Sequence, residues 1–243
     1  MKPLLVLAAF PVVLMGWMSC SRSGTGHAAL PDPRTVDKSV PEYKNPFHPS
    51  TYAHFVARKD YRKTYDVYKD DTLLNRQPKK SRKIFVCLDE QRGQYLVDGL
   101  VAMDFPLSSG VKAYPTKTGD YAVISKKEDH TSNLYGKMYD AEGKCINYNA
   151  ESTDPVPEGG RFDGSPMPYW QRLTHAGLGL HVGKVRRHPV SHGCVRLPRN
   201  VAEILYRQTS IGTPVTIQKT PLPVSEAQKI PPAQQQESEG RKQ

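Results

Sequence analysis

Short apolar runs separated by turn residues dominate the chain from residue 84 onward. Residues 84–88 form such a run between charged residues, a pattern typical of a buried strand. Asp98 and Gly99 form a hairpin signal between two further strand-like segments, and a second turn-rich element at residues 115–119 precedes another. Hairpins at such short intervals predict a mainly β fold with antiparallel strands.

One segment near the C-terminus has helical periodicity instead. Val201, Ile204 and Leu205 form an apolar stripe with the spacing i, i+3, i+4. Asn200 is a predicted N-cap, and Glu203 three residues later completes a capping box. The pattern therefore predicts one clear helix, and an alternating segment after it predicts a closing strand.

The first 20 residues have the pattern of an export signal. Lys2 is followed by an almost entirely apolar run, residues 3–18, which is too short and too interrupted by proline for a membrane-spanning helix. Cys20 follows this run at the position of a bacterial lipoprotein processing site. We therefore predict a signal peptide at residues 1–20 with Cys20 as the site of lipidation; a secreted chain without lipid is the alternative.

The next 60 residues, 21–80, are predicted to be a linker and an N-terminal arm. Residues 21–50 are rich in Ser, Gly, Pro and charge, which is a linker composition. Residues 51–75 carry aromatic side chains at roughly helical spacing, which predicts a short helix or an ordered arm on the domain; a partly ordered basic linker is the alternative. Residues 220–243 are rich in Pro, Gln, Glu and Lys and predict a disordered tail.

The charge balance suggests an anionic partner or surface. The 243 residues include 34 Lys and Arg against 24 Asp and Glu, a formal net charge of +10. No nucleic-acid-binding motif accompanies this charge, so nucleic acid is not a predicted partner. The anionic polymers of a cell envelope fit the charge equally well, and so does an ordinary solvated surface.

The stretch GLGLHVGKVRRHPVSHGCVRLP, residues 177–198, combines one cysteine with two histidines. A thiol is a useful nucleophile only as thiolate, so it needs a nearby base or a positive field. His181 and His192 can supply the base for Cys194. Further basic residues lie nearby in sequence: Lys184, Arg186, Arg187, His188 and Arg196. The composition is that of an activated cysteine, and because no fourth ligand lies at a recognisable spacing it predicts neither a metal site nor a cofactor.

These residues resemble the signature of the YkuD-type L,D-transpeptidase catalytic domain, in which an upstream histidine precedes a Ser/Thr-His-Gly-Cys block. KIFVCLDEQRGQYLVDG, FPLSSGVKAYPTKTGDYAVIS and MPYWQRLTHAGLGLHVG resemble further blocks of the family, so the likeness covers about residues 82–218. It implies a β-sandwich or barrel-like fold of mixed sheets with one or two short helices, and a catalytic domain at residues 81–219. One departure concerns residues 184–188, where many members have a Pro-Gly turn.

The resemblance also implies roles for single residues. Cys194 is the expected nucleophile and His181 the general acid/base, oriented by the backbone carbonyl of Val182. The amides of Gly193 and Cys194 are expected to stabilise an oxyanion. Ser191 is expected to hydrogen-bond within the loop.

Six further side chains keep two interpretations each. His192 is expected either to support the oxyanion or to brace the loop. Arg196 binds a substrate carboxylate or forms a structural ion pair. Tyr169 and Trp170 are predicted to contact substrate, with a place in the core as the alternative. Cys87 and Cys145 either pair in an oxidising envelope or stay unpaired, and we favour the unpaired state.

The function that the resemblance implies is peptidoglycan L,D-transpeptidation. Such enzymes transfer the acyl group of a tetrapeptide stem, with release of its terminal D-Ala, to an amine of another stem and form 3→3 cross-links. The alternatives are an L,D-carboxypeptidase that trims stems by hydrolysis and an inactive wall-binding lipoprotein. The expected partners are peptide stems and, through a lipid anchor, a membrane. The expected location is the cell envelope, periplasmic or otherwise outside the cytoplasm.

Overall fold

The computed structural model describes residues 30–77, 81–225 and 228–229. The predicted signal peptide, Cys20 and most of the predicted tail lie outside the described residues. Within these residues, no helix is both long and apolar enough to cross a membrane. Three sheets and three short helices make up the regular structure, which confirms the mainly β class.

A six-stranded sheet forms one side of the core. Its strands, in spatial order, are β1 (Tyr68–Lys69), β4 (Leu100–Pro106), β3 (Arg92–Val97), β2 (Arg82–Cys87), β13 (Pro214–Gln218) and β5 (Gly119–Ala122). The predicted hairpin at Asp98 and Gly99 joins β3 to β4. Strand β13 runs parallel to β2 and the other neighbours are antiparallel, so the sheet is mixed as the family resemblance implies.

A four-stranded sheet carries the signature motif. Its order is β12 (Val195–Leu197), β11 (Gly179–Val182), β10 (Trp170–Arg172) and β6 (Ser125–Lys127). Strands β11 and β12 are parallel, which the hairpin pattern alone did not predict. The third sheet is antiparallel, in the order β8 (Cys145–Glu151), β7 (Thr131–Tyr139) and β9 (Arg161–Pro166), and we call it the flap.

The main hydrophobic core joins the two larger sheets to the last helix, α3 (Arg199–Gln208). Val201 and Leu205 on α3 are fully buried there, which confirms the predicted apolar stripe. The predicted capping box is wrong. The helix begins two residues earlier, after Pro198, so Asn200 already lies in its first turn and its side chain accepts from the next amide, while Glu203 pairs with Arg207.

The N-terminal arm packs on the outer side of β3 and β4 as a second hydrophobic cluster. It contains α1 (Tyr52–Ala57), and a further short helix, α2 (Asp71–Asn75), follows β1. This confirms the ordered arm. Residues 31–50 were predicted to be part of a linker, but they pack on the domain. Phe47 is buried in the cluster, and Arg34 binds both carboxylate oxygens of Glu90 at 2.9 Å.

The described part of the C-terminal segment is also packed, in contrast to the predicted disorder. Val224 joins the second cluster, and the Gln228 amide makes two hydrogen bonds of 3.0 Å with the backbone of Val101. Val224 and Gln228 of this Pro- and Gln-rich segment thus pack against and hydrogen-bond to β4. Cys87 is buried in β2 and both it and Cys145 are free, in agreement with the favoured unpaired state.

Candidate active site

A cavity of about 630 Å³ lies between the flap and the four-stranded sheet. Its lining includes Cys194 and His181 together with Ser191, His192 and Gly193, so the structure brings the two halves of the signature motif into one site. The parallel pairing of β11 and β12 explains this proximity. It sets Leu180 opposite Val195, and both functional side chains lie within one residue of that pair.

The Cys194 thiol is held by backbone groups of the segment that leads into β11. Its sulfur lies 3.3 Å from the carbonyl oxygen of Gly177, to which a protonated thiol donates. Burial raises the pKa of the Cys194 thiol; the Gly179 N–H and the charge of Arg196 act in the opposite direction without cancelling this effect. The cysteine is therefore a thiol in the resting site at neutral pH.

The His181 side chain is buried and has a defined orientation. Its Nδ1 lies 2.7 Å from the carbonyl oxygen of Val182, as the family resemblance implies. A carbonyl only accepts hydrogen bonds, so Nδ1 carries the proton and Nε2 is left as the acceptor. Burial lowers the pKa of His181 to about 4, with Arg196 and His130 acting in the same direction. The imidazole is neutral at neutral pH and can accept a proton.

Two hydrogen bonds of the Ser191 hydroxyl hold the loop before Cys194. The Ser191 hydroxyl donates to the Cys194 carbonyl oxygen and accepts from the Gly193 amide at 3.2 Å, which confirms its predicted bonding within the loop. Gly193 has φ +109°, a conformation that disfavours any side chain. Its amide is engaged by Ser191, which differs from its predicted role as an oxyanion donor and leaves the Cys194 amide as the candidate.

His192 forms a ring cluster with the flap. Its imidazole stacks on Tyr135 of β7 with ring centroids 4.3 Å apart and lies 4.9 Å from the ring of Tyr114. Burial lowers the pKa of His192, so it is neutral as well. These contacts favour the bracing role of His192, because they connect the loop of Cys194 to the flap that covers the cavity.

Arg196 lines the cavity two residues after the cysteine, on β12. Its side-chain carbons pack over Gly183, where an added Cβ would come within 3.0 Å of them. Within the described residues no carboxylate forms an ion pair with Arg196, so the structural ion pair considered from the sequence is absent there. The guanidinium is free to meet a ligand carboxylate.

The adjacent aromatic residues Tyr169 and Trp170 have different environments. Trp170 lines the cavity although it is only 2% exposed, and its ring lies 5.9 Å from that of His181. Tyr169 does not line the cavity, contrary to its predicted contact with substrate. It precedes β10 with φ +55°, and its ring packs beside Tyr206 of α3. The left-handed turn at Tyr169 comes directly before the extended chain that begins at Trp170, and the two side chains therefore diverge.

The basic cluster of the motif does not surround the thiol as the sequence suggested. Arg187, with φ +59°, turns to the N-terminal arm and donates to the carbonyl oxygens of Arg62, Thr64 and, at 2.9 Å, Glu90. Of the five basic residues, Arg196 alone is found in the cavity lining. The loop that replaces the family's Pro-Gly turn therefore fastens the catalytic segment to the arm.

Three basic residues of the cavity lining were not predicted from the sequence. His130 precedes β7, and its ring centroid is 5.0 Å from that of Trp170. Lys117 and Arg172 also line the cavity. Arg172 could have been found, because it lies two residues after Trp170 on β10 and residues at this spacing share one face of a strand. His130 and Lys117 lie outside any periodic segment and gave no such signal.

The site shows no sign of a metal centre. In the part of the chain that the structure describes, no group of three or more His, Cys, Asp and Glu side chains is arranged to hold a metal ion.

Comparison with known proteins agrees with this geometry. The family model of the YkuD L,D-transpeptidase catalytic domain matches residues 81–217, more than half of the chain. Probable L,D-transpeptidase 3 of Mycobacterium tuberculosis is 32% identical over 121 residues, which are 47% of this chain and 38% of that protein. The chain thus matches well under two thirds of that relative's length.

Two solved structures show the same kind of likeness. An L,D-transpeptidase from Mycobacterium smegmatis matches with a TM-score of 0.44 and 22% identity, over 57% of this chain and 58% of that chain. The catalytic domain of the Enterococcus faecium L,D-transpeptidase matches with a TM-score of 0.42 and 28% identity, over 57% of this chain and 98% of that chain. On the match of the family model to residues 81–217, this chain belongs to the YkuD family of L,D-transpeptidase catalytic domains.

Proposed function

We propose that this protein is a peptidoglycan L,D-transpeptidase that works through a cysteine acyl-enzyme. The observation that carries the proposal is that Cys194 and His181 line the same cavity. The Val182 carbonyl orients the histidine so that Nε2 is the ring nitrogen available to accept a proton. The names of the relatives, which are L,D-transpeptidases, support the same reaction class.

The first half-reaction forms a thioester. The Cys194 proton passes to Nε2 of His181 as the sulfur attacks the donor carbonyl carbon between the third residue of a stem and its terminal D-Ala. The Cys194 amide stabilises the oxyanion. When the intermediate collapses, the carbon–nitrogen bond breaks, the protonated His181 gives its proton to the departing amine of D-Ala, and the acyl group stays on sulfur.

The second half-reaction transfers the acyl group. A neutral amine from another stem attacks the thioester carbonyl, and its proton passes to His181 and then to the departing Cys194 sulfur. The product is a 3→3 cross-link and the free enzyme is restored. Water in place of the amine would give a shortened stem, so L,D-carboxypeptidase activity uses the same residues and differs only in the acceptor.

This function requires a location outside the cytoplasm, where the polymer lies. The apolar segment at residues 3–18 and Cys20 support export and attachment to a membrane by lipid, in the periplasm or an equivalent space of the cell envelope.

Product analysis tests the proposal. The chain without residues 1–20 is incubated with a disaccharide-tetrapeptide, and the products are identified by mass. A dimer that has lost one D-Ala is the expected result. A tripeptide without dimer would establish the carboxypeptidase, and no product together with no covalent carbapenem adduct on Cys194 would leave a wall-binding protein.

A further inference from the structure

The cavity has an uneven charge. Three cationic side chains line it, Lys117, Arg172 and Arg196, whereas no Asp or Glu of the described residues does. Glu151 follows the lining residue Ala150 and accepts from the Tyr114 hydroxyl at 3.3 Å. Burial lowers the pKa of the three lining histidines, which are therefore neutral at neutral pH. The field inside the cavity is positive.

None of the three cations is neutralised by a carboxylate elsewhere in the described chain, since every ion pair found there joins other residues. Arg172 makes one long contact of 3.4 Å to the His175 carbonyl oxygen and lies beside the Trp170 ring. Lys117 is exposed at the mouth. Unpaired cations converging on one concave site attract anionic ligands and focus the field on them.

The three cations also differ in their position relative to the nucleophile. Arg196 follows Cys194 by two residues, and both side chains line the cavity. A donor carboxylate next to the scissile bond would meet Arg196. Arg172 lies on β10 beside Trp170, and its charge acts to lower the pKa of the Cys194 thiol, whereas Lys117 lies in the loop before β5.

We propose that the cavity selects acyl donors whose retained part carries free carboxylates, against otherwise identical donors in which these groups are carboxamides. Lys117 and Arg172 are the specificity-determining residues. The inference rests on the proposed acyl transfer and narrows its substrate class. A site with unpaired cations favours a charged ligand over its neutral isostere, because the isostere leaves the cations without a partner.

Matched donors test this selectivity. Two tetrapeptide stems are compared that differ only in carboxylate or carboxamide on the retained residues, and release of D-Ala is followed with the wild-type chain and with Lys117→Met, Arg172→Met and Lys83→Met. Lys83 is exposed on β2 and does not line the cavity, so its variant controls for loss of one charge. Thermal midpoints establish that each variant is folded.

The expected kcat/KM of the wild type is roughly tenfold or more higher for the carboxylate donor, mainly through KM. The two cavity variants lose more rate on this donor than on the carboxamide donor, whereas the Lys83 variant keeps both rates. The preference also weakens as salt is added. Equal rates on the two donors, or cavity variants that slow both donors in the same proportion, would overturn the proposal.

Binding separates this inference from the proposed reaction. The Cys194→Ala variant cannot form a thioester, so its Kd for each donor reports recognition alone. A lower Kd for the carboxylate donor supports the inference even if the wild type turns over neither donor, in which case the transpeptidase proposal alone fails. Equal Kd values overturn the inference whatever the catalytic result.

Discussion

One hydrogen bond determines the tautomer of the His181 imidazole, and burial determines its charge. The Val182 carbonyl selects the tautomer that leaves Nε2 as proton acceptor. Burial lowers the pKa of His181 and raises that of Cys194, so thiol and imidazole are both neutral at rest. Proton transfer between them belongs to the attack on a bound donor, and the site does not hold a preformed thiolate.

This resting state predicts how Cys194 reacts with a simple alkylating agent. Because the pKa of the thiol lies above its usual value, the alkylation rate at pH 7 is low and rises about tenfold per pH unit between pH 7 and the usual thiol pKa. Peptide mapping after timed exposure to iodoacetamide measures the rate at Cys194. Arg196→Met should lower it further, since the Arg196 charge favours the thiolate. A plateau already reached below pH 7 would show a preformed ion pair instead.

The low pKa of His181 also predicts an acid-sensitive fold. An unfolded histidine titrates near 6.5, whereas the folded one titrates near 4, so protons bind preferentially to the unfolded chain between these values. The contribution of His181 to the free energy of unfolding is therefore complete above pH 6.5 and is lost as the pH falls towards 4. Urea unfolding at pH 7.5 and 4.5 should show a loss of about 2–3 kcal/mol in wild type that His181→Asn lacks. Equal losses in both proteins would contradict the shifted pKa.

At the scale of elements, the N-terminal arm completes a buried ion pair of the six-stranded sheet. Arg92 on β3 and Asp104 on β4 are 1% and 0% exposed and pair with each other. The hydroxyls of Tyr52 and Tyr61 on the arm donate to the same carboxylate at 2.7 and 2.9 Å. A buried charge is tolerated only with such partners, so the arm is part of the folded domain.

Tyr52→Phe tests this dependence with little change in shape. The variant leaves the Asp104 carboxylate one donor short, and we expect a loss of about 1–3 kcal/mol in the free energy of unfolding. Tyr65→Phe is the matched control, because Tyr65 is 56% exposed, and its effect should stay within about 0.5 kcal/mol. Denaturant unfolding measures both. Equal stability of Tyr52→Phe and wild type would mean that the arm does not support the carboxylate.

An element can be predicted from the sequence when the residues that cause it lie close together in the chain. The buried run of β2 and the Asp98-Gly99 hairpin have their causes within a few residues, so the sequence predicts them. The flap does not show such a pattern, because its strands are mostly exposed and alternate weakly. The arm's order depends on partners such as Asp104 that are distant in sequence, and composition alone suggested a linker for part of it.

At the scale of the whole molecule, the site combines segments that are far apart in sequence. The motif predicted Cys194, His181 and the Val182 carbonyl because these lie within 14 residues of each other. His130 and Lys117 come from distant loops, and only the folded chain brings them to the cavity. Tyr169 and the basic cluster were misplaced because the direction of a side chain depends on backbone conformation that the sequence does not specify.

The proposed attachment to a membrane makes a prediction for the intact protein in its own cell. If Cys20 carries the lipid, the wild-type chain is recovered with membranes, because acyl chains bury methylene groups in the bilayer. Cys20→Ala should then be recovered as an unprocessed precursor or in the soluble fraction, and metabolic labelling with a fatty acid should not mark it. Labelling of the variant as strongly as the wild type would exclude Cys20 as the attachment site.

The acyl-enzyme is the central claim, and intact-mass spectrometry of the protein with a tetrapeptide donor whose acceptor amine is blocked measures it most directly. The proposed mechanism predicts that the wild-type protein gains the mass of the donor minus that of D-Ala, and that the added mass lies on the peptide that contains Cys194. Cys194→Ala should show no adduct, and His181→Ala should form it far more slowly. Release of D-Ala by the Cys194→Ala variant, or an adduct on another residue, would contradict the account.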